Sequence, residues 1–333
     1  MLASIAAILP HSIKTMISRL PPSIMAILEE IRIREQRPLE IIYGGSYAFV
    51  TADGSAVQDP HQAYKASKQE CLKLLDLLTN HSVYALEEEL KRGFITIAGG
   101  HRVGLAGRAV TERGKVKLIR EINAFNIRIA RPVTGCAEHV LPQLRDEQHR
   151  TLHHTLIISP PQMGKTTLIR DLSRLVSSGL WGNDRPNWTG RKVGIVDERS
   201  EIAALLHGVP QFDVGPRTDV LDRCPKAEGM MMMIRSLSPE VLVVDEIGVW
   251  EDAEAVKEAA NAGIRVLATA HGESLDQIRS RPMFAKLMED HTFDRYVVIK
   301  RSSAGLRQQD VYDANGRLLS FASAVYERRK VRL

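Results

Sequence analysis

The chain has 333 residues, 44% apolar and 26% charged, with a net charge of +5. That length exceeds a comfortable single core, so two domains of ordinary globular composition are expected. Charges of both signs are interspersed, which permits contact with nucleic acid or anionic lipid without demanding either, and no run approaches the roughly 20 apolar residues of a membrane span.

Residues 1–10 lack a basic flank and stop at Pro10, against a signal peptide or anchor. Two short helical stretches separated near Pro21-Pro22 open the chain. Residues 30–34, 39–43 and 47–51 alternate with period two, as strands of a half-exposed antiparallel sheet do. Residues 67–79 and 82–91 have helical spacing of Leu, Val and Tyr. Strands return at 94–98, 102–110 and 115–119, with Gly99-Gly100 and Arg113-Gly114 in the turns. A small N-terminal α/β domain is therefore expected over 1–130. Residues 131–150 hold a linker, Arg131-Pro132-Val133-Thr134-Gly135, and a connecting helix carrying Val140 and Leu144.

From 151 to 333 strand and helix alternate. Thr155-Leu156-Ile157-Ile158, Val193-Gly194-Ile195-Val196, Val241-Leu242-Val243-Val244 and Ile264-Arg265-Val266-Leu267-Ala268 are near-continuous apolar runs, the mark of a mainly parallel sheet covered on both faces. They end at Ser159, Asp197-Glu198-Arg199, Asp245-Glu246 and Thr269-Ala270-His271. Ligands of such sheets bind beyond the carboxyl ends of the strands, so the four polar clusters are expected to meet at one edge. Residues 181–190 read as a polar surface loop whose two tryptophans pack on the adjoining helix, and 226–236 as a helix burying Met230 to Met233. Residues 293–300 read as a strand, Asn315-Gly316 as a hairpin turn, and the basic residues of 328–332 as a solvated tail. Cys71, Cys136 and Cys224 are far apart with no C-x-x-C pair, which indicates a reducing compartment and no four-cysteine zinc site.

Ser159-Pro160-Pro161-Gln162-Met163-Gly164-Lys165-Thr166-Thr167 fits the phosphate-binding pattern G-x-x-x-x-G-K-[ST] except at its first position. Between a strand and a helix, such a loop turns backbone N–H groups and a helix N-terminus toward the polyphosphate of ATP. Lys165 is expected to reach the β- and γ-phosphates and the Thr166 hydroxyl to bind Mg²⁺. Ser159 stands where the pattern asks for Gly, and its Cβ restricts the turn if that position needs positive φ. Asp245 is expected to hold Mg²⁺ through water and Glu246 to activate the attacking water; Glu198 is the alternative base, or positions the ion. His271 is placed to hydrogen-bond a γ-phosphate. Arg32, Arg34, Arg120, Arg128, Arg217 and Arg235 are candidates for an arginine supplied from another domain or subunit, and spacing does not choose among them.

Further segments extend the pattern. They are Val196-Asp197-Glu198-Arg199-Ser200-Glu201-Ile202, Asp219-Val220-Leu221-Asp222, Cys224-Pro225-Lys226-Ala227-Glu228-Gly229-Met230, Val244-Asp245-Glu246-Ile247-Gly248 and Thr269-Ala270-His271-Gly272. With Glu30-Ile31-Arg32-Ile33-Arg34 and Asn126-Ile127-Arg128-Ile129-Ala130, the chain resembles the secretion ATPase superfamily of type II and type IV secretion and pilus motors. Within it, the likeness is to the branch from endospore-forming bacteria. The resemblance implies Walker A at Lys165 and Thr166, an Asp box over 197–201, Walker B at Asp245 and Glu246, and a His box at His271. It also implies a RecA-like ATPase domain, a homo-hexamer with nucleotide between domains, and the powering or gating of a channel between mother cell and forespore. The protein itself would be cytoplasmic, reaching a membrane through channel or secretion components. Two other functions fit the same motifs. One is a nucleotide-gated scaffold with little hydrolysis, for which Ser159 is the motive. The other is an ATPase dependent on single-stranded nucleic acid, disfavoured because 5% aromatic content offers few stacking platforms.

Overall fold

The computed structural model describes residues 2–79, 93–112, 114–131, 133–301 and 307–322. The helix expected over 82–91 and the basic tail at 328–332 lie outside them. The chain divides into two compact units, Met1–Arg131 with Leu206–Gln211, and Pro132–Leu205 with Phe212–Leu333.

The first unit opens with helices Leu2–Ile8, His11–Ser18 and Pro22–Ile27, three where the sequence suggested two. Pro10 cannot continue a helix and splits the first stretch, while Pro22 is tolerated in the first turn of the third. Strands follow at β1 (Leu28–Arg34), β2 (Glu40–Tyr43), β3 (Ser46–Val50) and β4 (Ala56–Val57). After helix Lys68–Leu78 come β5 (Phe94–Ile97), β6 (His101–Glu112) and β7 (Lys115–Arg128). They pair antiparallel in the order β4-β3-β2-β1-β7-β6-β5. Ser67 and Glu70 form a capping box at the helix start. Ile31, Ile33, Ile41, Val103 and Ile127 turn one sheet face onto a core with Leu74 and Ile13.

β7 does not stop at 119 as its alternation suggested. The register shifts between Ala106 and Arg108, a bulge that carries the pairing past the polar stretch Arg120-Glu121. A Cβ at Gly107 would lie 2.6 Å from the Arg120 carbonyl oxygen, so only glycine fits there.

In the second unit the expected connecting helix shrinks to one turn, Leu141–Leu144, opened by Pro142 and preceded by turns. A small ribbon, β8 (Arg145–Asp146) with β9 (Thr151–Leu152), leads to the main strands. These are β10 (Thr155–Ser159), β11 (Val193–Asp197), β12 (Thr218–Asp222), β13 (Val241–Val244), β14 (Arg265–His271), β15 (Arg295–Arg301), β16 (Arg307–Asp313) and β17 (Leu318–Ala322). Their order is β12-β11-β13-β14-β10-β15-β16-β17, parallel from β12 to β15 and antiparallel beyond. This is the mainly parallel sheet that the continuous apolar runs required.

Helices cover both faces. Ile157, Ile195 and Val243 point to one core with Leu168 and Leu172 of helix Lys165–Ser178. Leu156, Ile158, Leu242 and Val244 point to the other, which contains Met230, Val256, Ile278 and Phe284. Of the four methionines only Met230 and Met233 are buried, because helix Lys226–Leu237 turns one stripe inward and leaves Met232 exposed. Trp181 is buried and meets Trp188 edge-on at 5.3 Å, so the loop after helix Lys165–Ser178 packs on the core. The turn at Asn315-Gly316 joins β16 to β17 as expected.

Candidate active site

The phosphate-loop segment starts as strand. Ser159 is the last residue of β10, in parallel register with His271, and its hydroxyl donates to the Pro160 carbonyl at 2.9 Å. The left-handed positions fall on Gln162, φ 61°, and Gly164, φ 96°, while Ser159 is not among the positive-φ residues. A Cβ at 159 is therefore unstrained, and the conditional objection to the degenerate motif does not arise. Gly164 starts helix Lys165–Ser178, whose free N–H groups and macrodipole face the same way as the loop.

Lys165 is buried, and its ammonium donates to the carbonyls of Ser159 at 3.2 Å and Pro160 at 3.3 Å and to His271 Nδ1 at 3.0 Å. Burial pulls its pKa below the ordinary lysine value, while the carboxylates of Asp245, Glu246 and Glu201 pull it up. Because Nδ1 accepts from Lys165, neutral His271 carries its proton on Nε2 and donates to Glu246 Oε1 at 2.7 Å.

Sheet register brings the acids to this point. Val244 pairs with Ala268, so the next residues, Asp245 and Thr269, are neighbours. The Thr269 hydroxyl donates to Asp245 Oδ1, and the Thr166 hydroxyl donates to Oδ2 at 3.0 Å. Burial pushes the Asp245 carboxyl up, against those hydrogen bonds. Glu246 has φ 55°, a strained value for a side chain with a Cβ, and its N–H donates to Thr269 Oγ1 at 2.8 Å. Asp252 accepts from the N–H groups of Gly248 and Val249 at 2.9 and 3.3 Å, which stiffens the turn just beyond.

The acidic cluster at the end of β11 separates into different roles. Asp197 is buried and accepts from the N–H groups of Glu201, Ile202 and Ala203 at 2.7, 2.9 and 2.9 Å, so it shapes the turn. Glu198 lines a cleft with Asp197, Arg199, Lys226, Asp245 and Glu246. Its Oε2 lies 2.5 Å from the Lys226 ammonium, and Arg199 Nη1 lies 2.5 Å from Glu246 Oε2. Arg170, in the second turn of helix Lys165–Ser178, donates to the carbonyls of Ile202 and Glu201 at 2.5 and 2.6 Å and stacks 4.1 Å over the Phe212 ring.

The structure thus gathers Lys165, Thr166, Asp245, Glu246 and His271 into one hydrogen-bonded group, with Glu198 in the adjoining cleft. Sequence reasoning did not single out Lys226, Arg199 or Arg170. Each adjoins a motif already read, and adjacency was the available signal. Of the arginines proposed to act from elsewhere, Arg217 donates to the Gly190 carbonyl, Arg34 pairs with Glu40 at 2.6 Å, and Arg32 and Arg128 approach Glu30 at 3.4 and 3.8 Å.

The fold is that of the RecA-like secretion ATPases. The chain superimposes on the pilus retraction motor PilT solved with bound ADP, at TM-score 0.53 and 15% identity, covering 91% of this chain and 82% of PilT. It superimposes on the Yersinia pseudotuberculosis ATPase DotB at 0.54 and 15%, covering 86% and 76%. The family model described as sporulation stage III, protein AA matches residues 2–319, and the chain belongs to that family. Stage III sporulation protein AA of Bacillus subtilis (strain 168) is 48% identical over 321 residues, 96% of this chain and 98% of the relative. Type II secretion system protein E of Dickeya dadantii (strain 3937) is 30% identical over 179 residues, 51% of this chain and 32% of its own.

Proposed function

We propose that this chain is a Mg²⁺-dependent ATPase of the secretion-motor type, working as a homo-hexamer that powers or gates a sporulation channel between mother cell and forespore. The observation that carries the reading is the continuous hydrogen-bonded path from Lys165 through His271 to Glu246, with Asp245 braced on Thr166 beside it. Lysine, a strand-end acid pair and a histidine have no structural need of one another. Together they supply a phosphate-binding cation, an ion site and a base.

Thr166 and Asp245 fit a magnesium ion, since both offer the hard oxygen donors it takes and their oxygens lie 3.0 Å apart. When bound, Mg²⁺ would neutralise charge on the phosphate oxygens. In this reading, loop N–H groups and Lys165 bind and orient the phosphates. Glu246 accepts the proton of the attacking water, and His271 holds Glu246 and Lys165 in fixed relation. Glu198, paired with Lys226, orders the outer side of the cleft. The sporulation role is supported by family membership, and the secretion role by the fold and by the stretch related to protein E. No described helix is long and apolar enough to cross a membrane, and in this reading channel components supply the contact with one.

The test is turnover and particle size with ATP and Mg²⁺. Wild type is expected to hydrolyse ATP and to sediment as a ring. Lys165→Ala removes a charged donor that contributes about 1.5–3 kcal/mol, so its ATP affinity should fall roughly 10- to 10²-fold. A wild type that stays monomeric at high concentration and turns over no ATP would sink the proposal.

Ser159 offers no support to the scaffold alternative, because its backbone is unstrained. Ser159→Gly is accordingly expected to change kcat by less than about twofold, equivalent to ~0.4 kcal/mol in the barrier. It should also destabilise the fold by roughly 0.5–1 kcal/mol through the flexibility of glycine in a strand. A large gain in kcat would show instead that the serine restrains the loop.

A further inference from the structure

Glu246 is held from two sides, and the two holders differ. His271 donates to Oε1 from a strand end fixed by its pairing with Ser159, and its other nitrogen is engaged by Lys165. Arg199 donates to Oε2 at the end of a long side chain on the turn after β11, and that side chain is 63% exposed against 18% for Glu246. Each carboxylate oxygen is thus already committed to a protein donor.

On this observation, and resting on the ATPase reading above, the geometry points to Arg199 as a latch on the general base. Arg199 holds Glu246 in a resting orientation in which Oε2 serves the guanidinium, and Glu246 takes a proton from water only after that contact opens. Arg199 is a positioning residue here, acting through Glu246.

Three features make Arg199, and not His271, the part that releases. The main chain on which Arg199 sits is rigid. The Ser200 N–H donates to the Asp197 carbonyl at 3.1 Å, and the Asp197 carboxylate accepts from the next three N–H groups. Motion is therefore confined to the Arg199 side chain. The Glu246 main chain is likewise pinned, in its left-handed conformation, by the bond to Thr269, so the carboxylate reorients about its own side-chain torsions. Finally, an ion pair with one strongly exposed partner is weak and salt-screened. Such a pair opens readily, whereas the buried Lys165 contact fixes the histidine.

The neighbouring acid is restrained in the same way but less accessibly. Lys226 holds Glu198, and the lysine side chain is only 15% exposed. The cleft therefore keeps one carboxylate under a partly buried cation and the other under a solvent-facing one. The solvent-facing pair is the one that salt and competing anions reach.

The experiment measures steady-state ATP hydrolysis by the full chain for wild type, Arg199→Ala and Arg199→Lys, at low and raised salt. Arg199→Ala is expected to raise kcat severalfold with KM for ATP unchanged, and Arg199→Lys to restore the low value in part. Salt should raise wild-type kcat toward that of Arg199→Ala and leave the variant flat. A fall in kcat, or no change, in Arg199→Ala overturns the latch. A second measurement needs no turnover: thermal unfolding of Arg199→Ala, Glu246→Ala and the double variant. The two changes should be non-additive in the free chain and additive with a saturating non-hydrolysable ATP analogue and Mg²⁺. Additivity in the free chain overturns the latch independently. If wild type and Arg199→Ala both bind ATP but neither hydrolyses it, the ATPase reading fails and the latch falls with it. Hydrolysis by wild type with no gain in Arg199→Ala ends the latch alone.

Discussion

Glu246→Gln is expected to lower ATP turnover by roughly 10²–10⁴-fold, the usual contribution of a general base. ATP affinity should stay close to wild type. The amide is nearly isosteric and its oxygen still accepts from one neighbour, so the phosphate loop, Lys165 and the Asp245–Thr166 pair keep their places. One donor to the carboxylate loses its acceptor, but what the chemical step loses is the capacity to take a proton, and an interaction used in that step alone lowers kcat and kcat/KM together. Glu198→Gln should cost far less. Glu198 touches Lys226 and has no hydrogen bond to the Lys165–His271–Glu246 path. Single-turnover hydrolysis of both variants checks the assignment. If Glu198→Gln proves the inactive one, the base is Glu198 and Glu246 is a structural acid.

Asp197→Ala is expected to destabilise the protein by about 3 kcal/mol or more at neutral pH. It strands three N–H groups, each costing about 1–3 kcal/mol when buried without a partner. Ile202 and Ala203 are fully buried, so water cannot replace the carboxylate there. The loss should appear as a lower denaturant midpoint with unchanged slope.

The same residue sets a pH dependence. Burial pushes Asp197 up to about 6 from 3.8, with Asp222 adding to the rise and the three N–H groups opposing it. A carboxyl whose folded pKa is raised contributes most stability below its unfolded value, and that contribution is lost as pH rises through the folded one. Wild type should therefore gain on Asp197→Ala as pH falls from about 6 to about 4, by up to ~3 kcal/mol, since each pKa unit corresponds to 1.36 kcal/mol. A constant gap between the two proteins across that window would contradict this.

Much of the fold was legible because its signals are local. A central strand of a covered parallel sheet must be apolar at every position, so β10, β11, β13 and β14 each read as an apolar run. The edge strand β12 did not, because none of it is fully buried and Thr218, Asp219 and Asp222 break the run. β7 was cut short at 119 because a bulge over its own residues 121–123, opposite Gly107 of β6, breaks the alternation before pairing resumes at Ala124. The connecting helix was overread. Val140 and Leu144 are both buried, but Pro142 and the preceding turns leave room for a single helical turn.

By itself the sequence determined which residues end strands and which chemistry those residues can offer. Strand formation depends on burial and on neighbours along the chain, and lysine, aspartate, glutamate and histidine keep their acid–base character anywhere. Tertiary structure alone decided the partnerships: Asp197 turned inward onto three N–H groups, Glu198 given to Lys226, and Glu246 shared between His271 and Arg199. Those depend on inter-strand register, Val196 opposite Val244 and Val244 opposite Ala268. Register is set by packing between segments dozens of residues apart, and a displacement of one residue would turn every one of these side chains to the opposite face.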